Sequence, residues 1–399
     1  MPDISKYAQF IERMQKLREQ PLPAELLACI DKESLMAIVD NITKDMSNQK
    51  RFKGLKPYDA CRVKRKHSGL ARAYCVLRDP LGNYQCILET KSKNAANKKQ
   101  TIETAEGGFK IGKPAWRLDG KNGPSPHFSL LLMLKEKGQY TDINDKDVIK
   151  KLKALKAEIE LPWEFDKEVG LQRNTLGEVY ENSKGLVASI YSKKGIPLNN
   201  ALKNKELSVK EREEIGLSLL KTLTKLHERE IVFQDLKPAN VLLFRKKNGH
   251  LKVRLSDPGH VSRPSKKETS VATSGYESPE IAIAHSVKDT YYHNYFKKRY
   301  AKEGLSLGKK MANKIERELK KKGALKDIAE LKKSGLKAAK ENDMWAMGVT
   351  LFKLFNNRKP RTIPTDPRLA GFFAAREERL TAAQALAQWT EPKRKKRIY

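Results

Sequence analysis

The chain has 399 residues, 39% of them apolar and 32% charged, with four cysteines and a formal charge of +33. That length holds two packed lobes and a further module rather than one small core, and so few cysteines, with no Cys-x-x-Cys pair, describe a soluble protein of a reducing compartment without structural zinc. No run approaches 18 uninterrupted apolar residues, so neither a signal peptide nor a membrane span is expected; the charge draws polyanions and anionic surfaces, which makes nucleic acid, acidic proteins and inositol lipids the candidate partners.

From Ser5 to Glu19 and from Ala24 to Met46 apolar residues recur at helical spacing, with Pro21 and Pro23 between, which predicts two amphipathic helices. The runs Ala71 to Leu77 and Tyr84 to Leu88 flank Asp79-Pro80-Leu81-Gly82-Asn83 and predict a β-hairpin. Cys75 and Cys86 fall on its two arms and are read as two small buried side chains. Lys91 to Lys99 reads as an exposed linker, so residues 1–98 form an extension. At Ala105-Glu106-Gly107-Gly108-Phe109-Lys110 a glycine turn lies between two strands; without Cβ atoms its backbone can approach phosphates, although the run alone also fits an ordinary hairpin turn. The strand Ser129 to Lys135 is apolar and ends in a lysine. Pro162 is placed as the first residue of a helix continuing through Glu168, before two short strands, Glu178 to Tyr180 and Leu186 to Tyr191. A helix over Val209 to Glu228, with Leu217, Leu220, Leu223 and Leu226 inward, leads to the central motif.

That motif runs from Ile231 to Gly259. Asp235, Lys237 and Asn240 share one polar loop, an alternating apolar run turns at Asn248-Gly249, and Asp257 follows before Pro258-Gly259. Phosphoryl transfer needs these groups: a carboxylate to accept the proton of the attacking hydroxyl, an ammonium to meet the charge on the moving group, and an amide with a second carboxylate for magnesium. The order and spacing are far more restrictive than a lone motif.

The run Asp235-Leu236-Lys237-Pro238-Ala239-Asn240, followed by Asp257-Pro258-Gly259, resembles the catalytic and magnesium loops of the eukaryotic-type protein kinase family, serine/threonine branch. The resemblance implies that Asp235 and Lys237 are catalytic, that Asn240 and Asp257 hold Mg2+, and that ATP lies under Ala105, Gly107 and Gly108. It further implies that Lys135 reaches the α- and β-phosphates and is paired with Glu168, with Glu160 and Glu158 as the alternatives. Ser189 would then flank the adenine pocket, and the backbone of Ile190 to Ser192 would bond the base. Two departures stand out: Phe233-Gln234 replaces the usual His-Arg, and Pro258 replaces the usual Phe. Without the arginine, no cation beside Asp235 awaits a phosphorylated activation segment, and Pro258 stiffens its loop.

Further on, Thr273 to Glu280 resembles the end of the activation segment, with Thr273 placed to bind Asp235 and Lys237. Glu280 is expected to pair with Arg379, and Asp343 to cap the catalytic loop from a central helix. Some fifty extra lysine-rich residues, about 288–340, separate Glu280 from Asp343 and read either as a solvated helical hairpin or as a docking surface for substrate or polyanion. The end, Pro392 to Arg397, is a basic run that fits a nuclear import signal, a phosphate-binding tail or an exposed tail with no address.

The expected fold is therefore α+β and two-lobed: an N-terminal helical and β-hairpin extension over 1–98, a small lobe over 99–192, a large lobe over 193–391 with the helical insertion, and a basic tail over 392–399. The expected function is a serine/threonine protein kinase that uses ATP and Mg2+ and does not depend on activation-segment phosphorylation. A pseudokinase scaffold and a polyanion-binding protein of kinase-like fold are the alternatives. The relaxed motifs resemble divergent kinases such as bacterial effector or viral ones, so the expected location is cytoplasm or nucleus, including that of a host cell.

Overall fold

Two compact units make up the chain, residues 1–164 with 173–194 and residues 165–172 with 195–399. The computed structural model describes residues 4–47, 55–63, 71–90, 101–103, 109–136, 143–165, 169–182, 185–246, 248–264, 272–285 and 304–391. The expected linker at Lys91 to Lys99, the first part of the insertion and the basic tail fall outside these residues. Among the described residues no helix is long and apolar enough to cross a membrane.

The first unit is built on an antiparallel sheet of β1 (Ala60–Val63), β2 (Ala71–Arg78), β3 (Tyr84–Thr90), β4 (Thr101–Glu103), β5 (Phe109–Arg117), β6 (Ser125–Glu136), β7 (Asn174–Asn182) and β8 (Gly185–Lys193). Their order is β1-β2-β3-β5-β6-β8-β7, with β4 also on β5. Three helices precede the strands, α1 (Ile4–Lys16), α2 (Ala24–Leu27) and α3 (Lys32–Ser47). Their apolar stripes, including Phe10, Met14, Ile38 and Ile42, pack with Val76, Cys86, Leu88 and Trp116 of β2, β3 and β5. The expected boundary near residue 98 is thus corrected: the hairpin and its helices belong to the same sheet and core as β5 and β6. Val76, not Cys75, is the register partner of Cys86, which is buried.

Helix α4 (Lys146–Glu164) lays Val148, Leu155 and Ile159, an i, i+7, i+11 stripe, on Leu134, Leu176, Ala188 and Ile190. Pro162 lies inside the last turn of this helix instead of starting one. The apolar period had already begun at Val148, so the helix starts well before this proline. Trp163 then anchors the exit, its Nε1 donating to the Asn174 carbonyl at 2.8 Å.

In the second unit, β9 (Ile196–Pro197), β10 (Val241–Arg245) and β11 (Leu251–Leu255) form a small sheet. The helices are α5 (Leu198–Lys203), α6 (Val209–Glu228), α7 (Pro279–Ala284), α8 (Leu307–Lys321), α9 (Leu325–Gly335), α10 (Lys340–Asn356), α11 (Pro367–Ala370) and α12 (Ala382–Thr390). A reciprocal capping box between Ser208 and Glu211 starts α6. Its buried line is Ile215, Leu219, Leu220, Leu223 and Leu226 rather than one through Leu217. Helix α10 is buried along most of its length, with Trp345 edge-on to Phe373 at 5.0 Å between centroids.

The reading of the insertion as a merely solvated hairpin is also corrected. Helices α8 and α9 close on α7, where Ala282, Ile283 and Ala312 form a small core. Contact is backbone-close, since a Cβ on Gly308 would stand 2.1 Å from the Glu277 carbonyl oxygen and one on Gly335 2.1 Å from that of Glu280.

Candidate active site

The loop from Phe233 to Asn240 is held from below by one buried carboxylate. Asp343, in the first turn of α10, accepts from the backbone N–H of Phe233 at 2.7 Å and of Gln234 at 2.6 Å, and its Oδ2 lies 3.0 Å from His227 Nε2. These bonds hold Gln234 at φ 67°, a left-handed conformation that costs a non-glycine residue about 1–3 kcal/mol.

On this base four polar side chains converge. Asp235 Oδ2 accepts from Lys237 Nζ at 2.6 Å and Asn240 Nδ2 at 2.9 Å, and Oδ1 accepts from Thr273 Oγ1 at 2.6 Å. Lys237 also donates to Thr273 Oγ1 at 2.7 Å, and Asn240 Nδ2 to the Asp235 carbonyl at 2.8 Å. The Asp235 carboxylate is thereby buried yet oriented by three donors, as a group that must present one oxygen to an incoming hydroxyl requires.

The hairpin explains how Asp257 comes to the same end. Its register pairs Val241 with Leu255, which sets Asn240 beside Ser256, and the Asn240 carbonyl accepts from Ser256 N at 2.8 Å and Oγ at 3.1 Å. Asp257 follows at φ 59°, and a tight turn at Pro258–His260 comes next. The Glu280–Arg379 pair forms at 3.1 Å, with Arg379 also stacked over Trp345 and donating to the Glu341 carbonyl.

Residues 147–295 match the protein kinase domain family. The segment that holds Asp235, Lys237, Asn240 and Asp257 is thus similar to the protein kinase domain. It is 35% identical over 111 residues to the bovine (Bos taurus) phosphorylase b kinase gamma catalytic chain, liver/testis isoform, covering 27% of this chain and 26% of that one. It is 49% identical over 61 residues to G protein-coupled receptor kinase 2 of Caenorhabditis elegans and 48% identical over 61 residues to human (Homo sapiens) beta-adrenergic receptor kinase 1, covering 15% of this chain and 8% of each relative. The chain thus spans about a quarter or less of the curated relatives it matches.

One feature of this loop escaped the sequence. Gln234, where an arginine is usual, donates through Nε2 to the His260 carbonyl at 2.6 Å and to Ser262 Oγ at 2.9 Å, beside a two-way backbone bridge between Val232 and Ser262. A neutral amide thus ties down the start of the activation segment. The signal was present in the side chain, since glutamine offers two donors where arginine offers charge.

In the first unit the expected nucleotide residues fare differently. Ala105, Gly107, Gly108 and Glu168 are outside the described residues. Lys135 ends β6 but does not face a glutamate late in α4. Its Nζ lies 3.4 Å from Asp147 Oδ2 and 4.0 Å from Asp145 Oδ2, at the start of that helix. Glu158 and Glu160 are 11 and 13 residues beyond Asp147, about 16 and 20 Å away at 1.5 Å per residue. That distance is out of a lysine's reach from where it stands, so the alternative partners Glu158 and Glu160 are set aside, while Glu168 lies outside the described residues. Glu160 instead accepts from Tyr58 OH at 2.7 Å, and Tyr58 sits at φ 69°.

Ser189 lies on β8. Its hydroxyl accepts from Glu178 N at 2.9 Å and donates to the Glu178 carbonyl at 3.1 Å, closing the irregularity of β7 between Leu176 and Val179. Ile190 packs in the α4 core, and Ser192 pairs in register with Phe128 and Asn174.

Proposed function

We propose that this chain transfers the γ-phosphoryl group of ATP to a serine or threonine hydroxyl of a protein. The observation that carries this reading is the Asp235 carboxylate held at once by Lys237, Asn240 and Thr273. An incoming hydroxyl would donate to Asp235, which orients it and takes its proton as the new O–P bond forms. Lys237 would meet the negative charge on the transferring group, and Thr273 keeps ammonium and carboxylate in register. A hard cation suits the donor set: Asn240 commits its Nδ2 to Asp235, which leaves Oδ1 as an oxygen ligand, and Asp257 adds a carboxylate at the same hairpin end. Magnesium, when bound, offsets the charge of the phosphate oxygens.

The neutral Gln234 bonds support activity that does not wait for a phosphorylated activation segment. The test is incubation of the purified chain with labelled ATP, magnesium and a mixed protein substrate beside an Asp235→Ala control. Labelling equal to the control would leave a scaffold without turnover.

A second reading concerns partners. Helices α8 and α9 expose Lys310, Lys314, Lys320, Lys321, Lys326 and Lys333. We take this surface to dock an acidic protein substrate. Reversing Lys314, Lys321 and Lys326 to Glu should weaken capture by an immobilised acidic polypeptide and flatten its salt dependence; unchanged capture would refute the docking surface, and selective loss of nucleic-acid binding would reassign it.

A further inference from the structure

We propose that Ser306, at the head of α8 in the lysine-rich insertion, is a positioning residue for the reaction: through Glu277 it holds the turn that sets Thr273 against Asp235. The inference rests on the phosphotransfer reading above and makes the insertion part of the apparatus that shapes the acceptor site.

The turn runs from Thr273 to Tyr276 and is closed by the Tyr276 N–H, which donates to the Thr273 carbonyl at 2.9 Å. Its third residue, Gly275, takes φ 89°, a backbone shape that glycine adopts without steric cost. Thr273, its first residue, donates to Asp235 Oδ1 at 2.6 Å and accepts from Lys237 Nζ at 2.7 Å. A shift in the turn therefore moves the hydroxyl that keeps carboxylate and ammonium in register.

Two groups distant in sequence grip this turn. Lys359, just past α10, donates from Nζ to the Ser274 carbonyl at 3.1 Å and stands 4.8 Å from the centre of the Tyr276 ring. Glu277, fully buried, accepts the Gly275 N–H on Oε2 and the Ser306 hydroxyl on Oε1. One carboxylate thus joins the turn to the insertion.

The start of α8 supplies what a buried carboxylate needs. Ser306 is the N-cap of this 15-residue helix, its Oγ accepting from Lys309 N at 3.1 Å, so the positive end of the helix lies beside Glu277. Gly308 permits the approach, because a Cβ there would stand 2.1 Å from the Glu277 carbonyl oxygen. Burial holds the Lys309 amine below the usual lysine pKa, with the charges of Glu316 and Glu277 opposing. A carboxylate out of water is costly unless donors and positive charge meet it. The Ser306 oxygen caps the helix while its proton goes to Glu277, so cap and link can be separated by substitution.

The test makes that separation in the full chain. Ser306→Asp keeps a cap, since Asp caps as well as Ser, but sets a second carboxylate against Glu277; Ser306→Ala removes both, and Ser306→Thr keeps both. Steady-state phosphotransfer to a mixed protein substrate should show kcat lowered about 10- to 100-fold in the Asp and Ala variants, the size expected for a misplaced catalytic group. KM for Mg-ATP should not move, and Ser306→Thr should restore most of the rate. Hydrogen exchange should quicken over 273–277 in the two weak variants, while in Ser306→Asp the amides of α8 stay protected. If Ser306 acts only as a cap, Ser306→Asp will keep the parent rate and the parent exchange over 273–277; that result would overturn the inference and leave the phosphotransfer reading standing. A parent chain without phosphotransfer, whose turn nonetheless loosens in Ser306→Asp, would overturn that reading and leave the link between insertion and turn in place.

Discussion

The carboxylate of Asp343 receives the backbone N–H of Gln234 at 2.6 Å across 109 positions of sequence. One buried group thereby sets the conformation of the residue immediately before Asp235. Replacing Asp343 with Ala leaves the amides of Phe233 and Gln234 buried without acceptors, at about 1–3 kcal/mol each. Urea unfolding should show a loss of about 3 kcal/mol, and activity should fall further than stability because the left-handed Gln234 is no longer held. A variant as stable and as active as the parent would contradict this role.

Gln234→Ala should loosen the segment from His260 to Ser262, since both side-chain bonds there come from one amide. The expected outcome is faster hydrogen exchange over 260–264 and lower activity, at about 1–2 kcal/mol. Phosphatase treatment of the parent chain should leave its rate unchanged; a large drop would mean that a phosphate, not the amide, orders the segment.

Gly308→Ala and Gly335→Ala each drive a methyl group into a carbonyl oxygen of the segment that forms or precedes α7. Backbone cannot yield as a flexible side chain can, so each should cost about 1–3 kcal/mol or more. Limited proteolysis should release the α8–α9 hairpin before the rest of the unit. Gly323→Ala, with nothing within 4 Å but φ at +70°, should show only a smaller conformational penalty.

His127 supplies a pH dependence. Burial pushes its pKa down from 6.5 to about 4, the Ser125 carbonyl opposing only in part. The imidazole is neutral in the fold, so as pH falls below 6.5 the unfolded chain takes up a proton that the folded chain refuses. Stability should therefore decline from about pH 6.5 and level off near pH 4, by about 3 kcal/mol in total. His127→Gln should flatten that part of the stability curve; an unchanged slope would assign it to other groups.

The small unit shows how far local pattern reaches. Strand alternation and turn residues located β2, β3, β6 and β8 in the sequence, because period and punctuation are local properties. They could not say that β3 would pair with β5, at Ile87 with Arg117, across a stretch that looks like a linker. Nor could they place the start of α4 against Lys135: a lysine at a strand end is equally compatible with solvent, phosphate or a helix carboxylate.

What the sequence determined unaided is the cluster around Asp235. Five-residue strands joined by a tight turn bring Asn240 and Ser256 side by side whatever surrounds them, so the spacing alone delivers Asp235, Lys237, Asn240 and Asp257 to one hairpin end. Tertiary structure decided the rest: the joining of β2 and β3 to the sheet of β5 and β6, the seating of α8 and α9 on α7, the carboxylates beside Lys135 and the amide latch at Gln234. An apolar stripe or a free donor records that a residue needs a partner, but which surface supplies it depends on segments tens of residues away, and only the packed chain selects among them.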